Sequence, residues 1–232
     1  MNSTEFHRML DKCPIFAAAP AKAAVSLAVN LERRVYQPKT PVYAEGDPGD
    51  RMFIIASGQV MLTRTACDRE GRLVLGLRGP AEIFGEVDFL DDSPRVTSAV
   101  ARSELTVLAM NRRRLRSWIR NHPDVGHALL RLLARDQRHS YEKLTHLRCA
   151  DLPSRLALSL LQRWKLQGTT EQGVCTVDLG LNQKELAQMI GASRDQTNKM
   201  LSHFRHRGWI RIEGRTLFIL APEQLTKFAT QR

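Results

Sequence analysis

The sequence predicts an α+β protein in three parts: a strand-rich roll, one long amphipathic helix, and a helical C-terminal segment closed by a hairpin. Three observations predict it. Seven of the 14 glycines fall between Gly46 and Gly85, among short runs in which apolar residues alternate. Apolar residues then recur at helical spacing from Leu130 to Leu147. Charge is divided unevenly over the 232 residues: positions 1–101 hold 12 Lys/Arg against 13 Asp/Glu, 102–148 hold 11 against 4, and 151–232 hold 12 against 7.

At 43% hydrophobic and 25% charged, the composition is that of a folded globular chain and excludes disorder, collagen and coiled-coil fibre. The whole excess of +11 sits in the C-terminal half, which points to a polyanionic partner, most simply nucleic acid. No apolar stretch approaches the roughly 20 residues of a membrane crossing, and Met1 to Lys12 is polar, so the expectation is a cytoplasmic protein with no membrane partner. Cys13, Cys67, Cys149 and Cys175 lie tens of residues apart without a CxxC pair. That spacing predicts ordinary buried or idle, reduced thiols and no metal, haem or iron–sulfur cluster.

Met1 to Leu31 is Ala-rich and reads as helix. From Val35 to Met110 come the short strands VYQ, PVYAE, MFIIASGQVMLTRTA, RLVLGLRG, TSAVARS and LTVLAM, parted by Gly, Pro and Asp, which fit a small antiparallel roll. Asn111 then caps a short helix through Trp118 and Ile119, and Pro123 suits the first turn of a longer one to about Cys149. On that helix Leu130, Leu133, Gln137, Ser140, Leu144 and Leu147 follow a coiled-coil seam, so a second copy of the chain would zip along residues 125–148. Polar Gln137 and Ser140 at its centre serve either to fix register or to meet a ligand. Asp151 and Pro153 restart a helix after a break at Cys149 to Asp151, where a hinge is expected. The expected divisions are thus 1–121, 122–150 and 151–232.

The last division carries three helices, Leu156 to Leu166, Gln183 to Ile190 and Ser193 to Arg207, then WIRIEG, a turn at Gly214 and RTLFIL. The middle of it has the anatomy of a helix-turn-helix. Leu186, Ala187 and Ile190 face the core, Gly191 makes the turn, Ser193 caps the next helix, and Met200, Leu201 and Phe204 form its inner face. Arg194, Asp195, Gln196, Asn198 and Lys199 are left facing out at the end that enters a major groove. Arg194 suits guanine, Asp195 suits cytosine N4, and Asn198 or Lys199 suits a neighbouring base or phosphate, at about 1–3 kcal/mol of discrimination for a good bidentate match. Gln183 opens the preceding helix, and Arg215 on the hairpin would touch the backbone. His203 and His206 have no third ligand nearby, which leaves them a solvated or phosphate-side role. Arg112, Arg113, Arg114 and Arg116 read as a solvated helical face, with contact to RNA polymerase or flanking DNA as the alternative.

These residues resemble the bacterial cyclic AMP receptor protein and fumarate-nitrate regulator (Crp/Fnr) superfamily, from about Ile15 to Leu225. EGDPGDRMFIIASGQV, FGEVDFLDDSPRVTSAV and QKELAQMIGASRDQTNKML carry the likeness, and PGDR, GASR and HRGWIR are similar to its actinobacterial cyclic AMP receptor branch. The resemblance implies an N-terminal cyclic-nucleotide-binding β-roll, a dimerisation helix and a C-terminal winged helix-turn-helix. It implies that Gly85 admits the backbone to a cyclic phosphate, Glu86 accepts from the ribose 2′-hydroxyl, Arg95 pairs with the phosphate, and Ser140 and Tyr141 lie where the purine is read. One position departs. Val96 stands where the family places Ser or Thr, and losing that one charged hydrogen bond costs about 1.5–3 kcal/mol, roughly ten- to a hundredfold in affinity, although the backbone N–H survives.

The function so implied is a homodimeric transcription regulator, gated by cyclic AMP, whose two recognition helices read a palindrome of double-stranded DNA with TGTGA-like half-sites. Asp195 for Glu and Lys199 for Arg depart from the family's reading set. The competing expectations are a constitutive regulator, in which Glu86 and Arg95 form an internal ion pair in a degenerate pocket, and an enzyme or nucleotide-storage module. Against the last stands the absence of a Walker loop, a GxSxG elbow and an HExxH pair.

Overall fold

The computed structural model describes residues 11–29, 31–66, 72–171, 174–178, 181–214 and 216–230. Two short helices, α1 (Pro14–Ala17) and α2 (Ala21–Val29), precede the strands. They part at Pro20, so the helix expected over the whole leading segment is broken there, and its first ten residues lie outside the described ones.

Eight strands build the roll: β1 (Glu32–Tyr36), β2 (Pro41–Tyr43), β3 (Arg51–Ser57), β4 (Val60–Thr65), β5 (Arg72–Arg78), β6 (Ile83–Phe84), β7 (Ser98–Ala101) and β8 (Leu105–Asn111). They pair antiparallel in two four-stranded sheets, ordered β1-β8-β3-β6 and β2-β7-β4-β5. A short helix, α3 (Glu86–Asp91), interrupts the run between β6 and β7. In the first sheet the central strands β8 and β3 are buried on both faces, which explains why β3 reads as continuous apolar sequence. Phe53 and Ile55 point into the roll with Leu105 and Val107, while Met52 and Ile54 point the other way, against Phe16, Trp118 and Val125 of the helices.

Asn111 caps α4 (Arg112–Asn121) by accepting from the Arg114 N–H at 2.9 Å, and α5 (Pro123–Cys149) follows with Pro123 in its first turn. Helix α5 has two apolar aspects. Val125 and Leu129 are buried in the roll's helical core, whereas Leu130 and Leu144 are 64% and 56% exposed. The chain divides into two compact units, 1–138 and 139–232, and the division falls inside α5 rather than at the break that follows it.

In the second unit Asp151 caps α6 (Leu152–Gln167) by accepting from the Ser154 N–H at 2.9 Å. Then come β9 (Thr169–Glu171), β10 (Val174–Asp178), α7 (Gln183–Ile190), α8 (Arg194–His206), β11 (Ile210–Glu213), β12 (Thr216–Ile219) and α9 (Pro222–Thr230). The strands form one antiparallel sheet, ordered β11-β12-β10-β9. Leu156, Leu160, Leu186, Phe204, Leu217 and Leu225 are buried between this sheet and the helices. The terminal hairpin is thus half of a larger sheet: β9 and β10 add two strands and α9 a further helix that the sequence reading did not foresee.

Candidate functional sites

The N-terminal site is built where β6 ends. Gly85 takes φ +69°, a left-handed conformation that only glycine adopts without strain, and a Cβ there would stand 2.8 Å from the Arg95 Nη1. That close approach lets the Gly85 carbonyl accept from Arg95 Nη1 at 2.7 Å, while Nη2 donates to the Arg51 carbonyl. The guanidinium lies 4.3 Å from the Tyr43 ring centroid, over a stack that continues to Phe53 and Phe84. Tyr43 is held in turn through its hydroxyl, 3.3 Å from the Thr97 Oγ1. Arg95 is 3% exposed, and among the described residues its Nε has no hydrogen-bond partner.

The acidic partner of Arg95 is Asp88, not Glu86. Asp88 Oδ2 lies 3.6 Å from Arg95 Nη1, both side chains being buried, and Asp88 Oδ1 accepts from the Val96 N–H at 3.1 Å. Glu86 opens α3 at 8% exposure, and burial pushes its carboxyl above the usual carboxylate range. Burial likewise pushes the Tyr43 hydroxyl up to about 12. The Val96 side chain is 42% exposed. An anionic group meets a buried guanidinium and a backbone N–H here, and a hydroxyl could donate to the Glu86 carboxyl, so the donor set suits a nucleotide phosphate and ribose. It is encumbered at one point, because Asp88 already faces the same cation.

Ser140 and Tyr141 fall in the second unit and are exposed, Tyr141 at 61%, with its carbonyl accepting from the Thr145 Oγ1. The arginine run is not a uniform solvated face. Arg113, Arg114 and Arg116 are exposed, but Arg112 donates to the carbonyls of Gly49 and Phe89 at 2.7 and 2.9 Å and pairs with Asp92 at 2.8 Å.

The second site is the pair α7 and α8. Asn182 caps α7 and Ser193 caps α8, each in a reciprocal capping box, with Glu185 and Gln196 as the returning side chains. Gly191, at φ +65°, turns the chain between them. Thr197, wholly buried with its hydroxyl donating back to the Ser193 carbonyl at 2.9 Å, lies inward with Leu201 and Phe204, and that buried face sets the rotation of α8. Arg194, Asp195 and Lys199 are consequently exposed in its first two turns, and Gln183 borders the same open hollow as Arg194. Asn198 departs from the expectation that it faces out. It is half-buried, and its Oδ1 is enclosed without a hydrogen-bond partner among the described residues. Arg215 lies outside the described residues.

Two family models match the chain: a cyclic nucleotide-binding domain over residues 33–122 and a Crp-like helix-turn-helix domain over residues 154–228. A CRP-like cAMP-activated global transcriptional regulator of Mycobacterium tuberculosis (strain H37Rv) is 40% identical over 221 residues, covering 95% of this chain and 98% of the relative. The chain belongs to the Crp/Fnr family. Solved structures agree in fold. The catabolite activator protein of Thermus thermophilus covers 93% of this chain and 98% of its own at 30% identity, with a TM-score of 0.55. FixK2 of Bradyrhizobium japonicum, at 18% identity, covers 87% and 98% with a TM-score of 0.76.

This Crp/Fnr regulator carries a DNA-binding helix-turn-helix C-terminal in sequence to its nucleotide-binding roll. Sequence reasoning missed Asp88 as part of the cassette, and Arg112 as a clamp beneath it. The signal for Asp88 was its odd position: an acid three residues after Gly85, in a segment whose neighbours Ile83, Phe84 and Phe89 are all core. Among the described residues there is no group of three or more His, Cys, Asp or Glu able to hold a metal ion, and no helix long and apolar enough to cross a membrane. His203 and His206 are exposed. Cys13 is buried, which pushes its thiol up to about 12 and removes it from thiolate chemistry, and Cys175 is buried and free. Cys67 and the side chain of Cys149 lie outside the described residues.

Proposed function

We infer that the chain is a homodimeric, sequence-specific transcription regulator of the cytoplasm, not an enzyme, whose affinity for double-stranded DNA is set by cyclic AMP bound in the roll. The observation that carries the reading is the start of α8, where a capped helix presents Arg194, Asp195 and Lys199 to solvent with its apolar side locked inward. Cyclic AMP is favoured among nucleotides by the cAMP-activated relative from Mycobacterium tuberculosis, aligned over nearly the whole chain. In this reading Gly85, Glu86, Arg95 and the N–H of Val96 hold the ribose and cyclic phosphate, and Ser140 and Tyr141 meet the purine. Residues 1–121 form the effector domain, 122–150 the dimerisation helix, and 151–232 the DNA-binding domain. The exposed Leu130 and Leu144 support pairing of two copies through residues 125–148, and exposed Arg113, Arg114 and Arg116 offer a surface for RNA polymerase.

The test is fluorescence anisotropy on a duplex with twofold-symmetric TGTGA-like half-sites about one helical turn apart, with and without cyclic AMP. The expected result is tighter binding with nucleotide, a steep fall of affinity with salt, and loss of the complex when Arg194 and Lys199 are both replaced by alanine. Equal binding by that double variant would overturn the DNA-reading assignment. Equal binding with and without cyclic AMP would favour the constitutive alternative.

A further inference from the structure

Arg95 and the Val96 N–H make a positive seat in the wall of the roll, and that seat already holds an anion. The Asp88 carboxylate reaches both groups at once, one oxygen 3.6 Å from the guanidinium and the other accepting from the N–H at 3.1 Å. It does so at 2% exposure, with little water to weaken the attraction. A carboxylate bridging a guanidinium and a backbone N–H satisfies them much as two phosphate oxygens would. We propose that Asp88 is a built-in competitor of the nucleotide's cyclic phosphate, so that the affinity of the roll for cyclic nucleotides is held down by this residue. The proposal rests on the effector reading above and deepens it.

The surroundings make the competition hard to escape. The backbone of Asp88 cannot withdraw, because its carbonyl accepts from the Ser93 N–H at 3.1 Å and Gly49 packs so closely that a Cβ there would lie 2.9 Å from the Asp88 Cβ. The incoming phosphate therefore either turns the Asp88 side chain out of the seat or shares one guanidinium with it, placing two like charges together. Glu86 adds a second acid to the same corner, and the charge on Asp88 contributes to holding its carboxyl high. Val96 brings no hydroxyl to offset the loss. Asp88 also determines selectivity by charge, since a ligand without a phosphate does not contend for the seat.

Calorimetric titration of the full chain tests this, using cyclic AMP and, as an uncharged control, adenosine, on the wild type, Asp88→Asn and Asp88→Ala. Asparagine keeps the shape and the acceptor for Val96, so it decides the matter if alanine impairs folding. Both variants are expected to bind cyclic AMP about ten- to a hundredfold more tightly than the wild type, with no gain for adenosine. If the wild type binds cyclic AMP and Asp88→Asn binds it no more tightly, the competitor is refuted and the effector reading stands. An equal gain for adenosine also refutes it, because the pocket has then merely loosened. If neither protein binds cyclic AMP at millimolar concentration, the effector reading itself falls and the competitor with it.

Discussion

In the roll, Glu86, Asp88 and Arg95 are 8%, 2% and 3% exposed; on α8, Arg194, Asp195 and Lys199 stand open to solvent. Both groups hold charged side chains at the sites proposed for a phosphate-bearing ligand, yet they are held by opposite means. Arg95 is fixed by two backbone carbonyls, an acid and an aromatic ring. Among the described residues Arg194 is fixed by its helix, whose caps and buried Thr197 set the face it occupies. A buried charge serves the fold and the ligand together, so removing it injures both. An exposed charge on a rigid element serves the ligand alone.

Stability measurements test that contrast directly. Arg95→Ala leaves Asp88 and two backbone carbonyls without their donor, and is expected to cost about 3–5 kcal/mol in urea unfolding followed by circular dichroism. Arg194→Ala is expected to stay within about 0.5 kcal/mol of the wild type in the same experiment while weakening the operator complex by about 1–3 kcal/mol. A stability loss at Arg194 as large as at Arg95 would erase the distinction. Ser193→Ala lies between the two, because the cap supports the helix that presents the reading face. Its expected cost is about 1 kcal/mol of stability, with base discrimination preserved wherever the helix remains formed.

The smallest effect is the most informative about the roll. Burial raises the Glu86 carboxyl, so the folded protein binds that proton more tightly than the unfolded chain does. Its contribution is favourable below the ordinary glutamate value of 4.5 and is lost as pH rises through the folded value. Glu86→Gln, neutral throughout, is expected to raise Tm at neutral pH by roughly 2–4 °C for each kcal/mol relieved. The gain should shrink as pH falls toward 4.5, as followed by differential scanning calorimetry. A gain independent of pH would mean that packing, not charge, is responsible.

The DNA-reading half was the more legible in sequence, and the reason is physical. Caps, a turn glycine and an apolar stripe at helical spacing are local signals, and α7 with its flanking Asn182 and Gly191 matches the expected Gln183 to Ile190. The exception there, Asn198, is set by packing across the unit. The roll depends on contacts between distant segments. The two-residue strand β6 is too short to show a period, and α3 carries acids at positions that look solvent-facing until Gly49 and Arg95 are brought against them. The hairpin β9–β10 lacked an Asn-Gly or Asp-Gly pair to announce it, and α9 followed a wing already taken as the end. In the arginine run, identical side chains hid different fates, since only the tertiary fold shows that Arg112 reaches Gly49, Phe89 and Asp92.

That one guanidinium has a mechanical consequence. Arg112 is the first residue of α4, and its reach to the Phe89 carbonyl ties the middle of α3 to the root of the helical arm that continues through α5. Any rearrangement that tilts α3 must either drag this root along or break its two attachments there, at the Phe89 carbonyl and at Asp92.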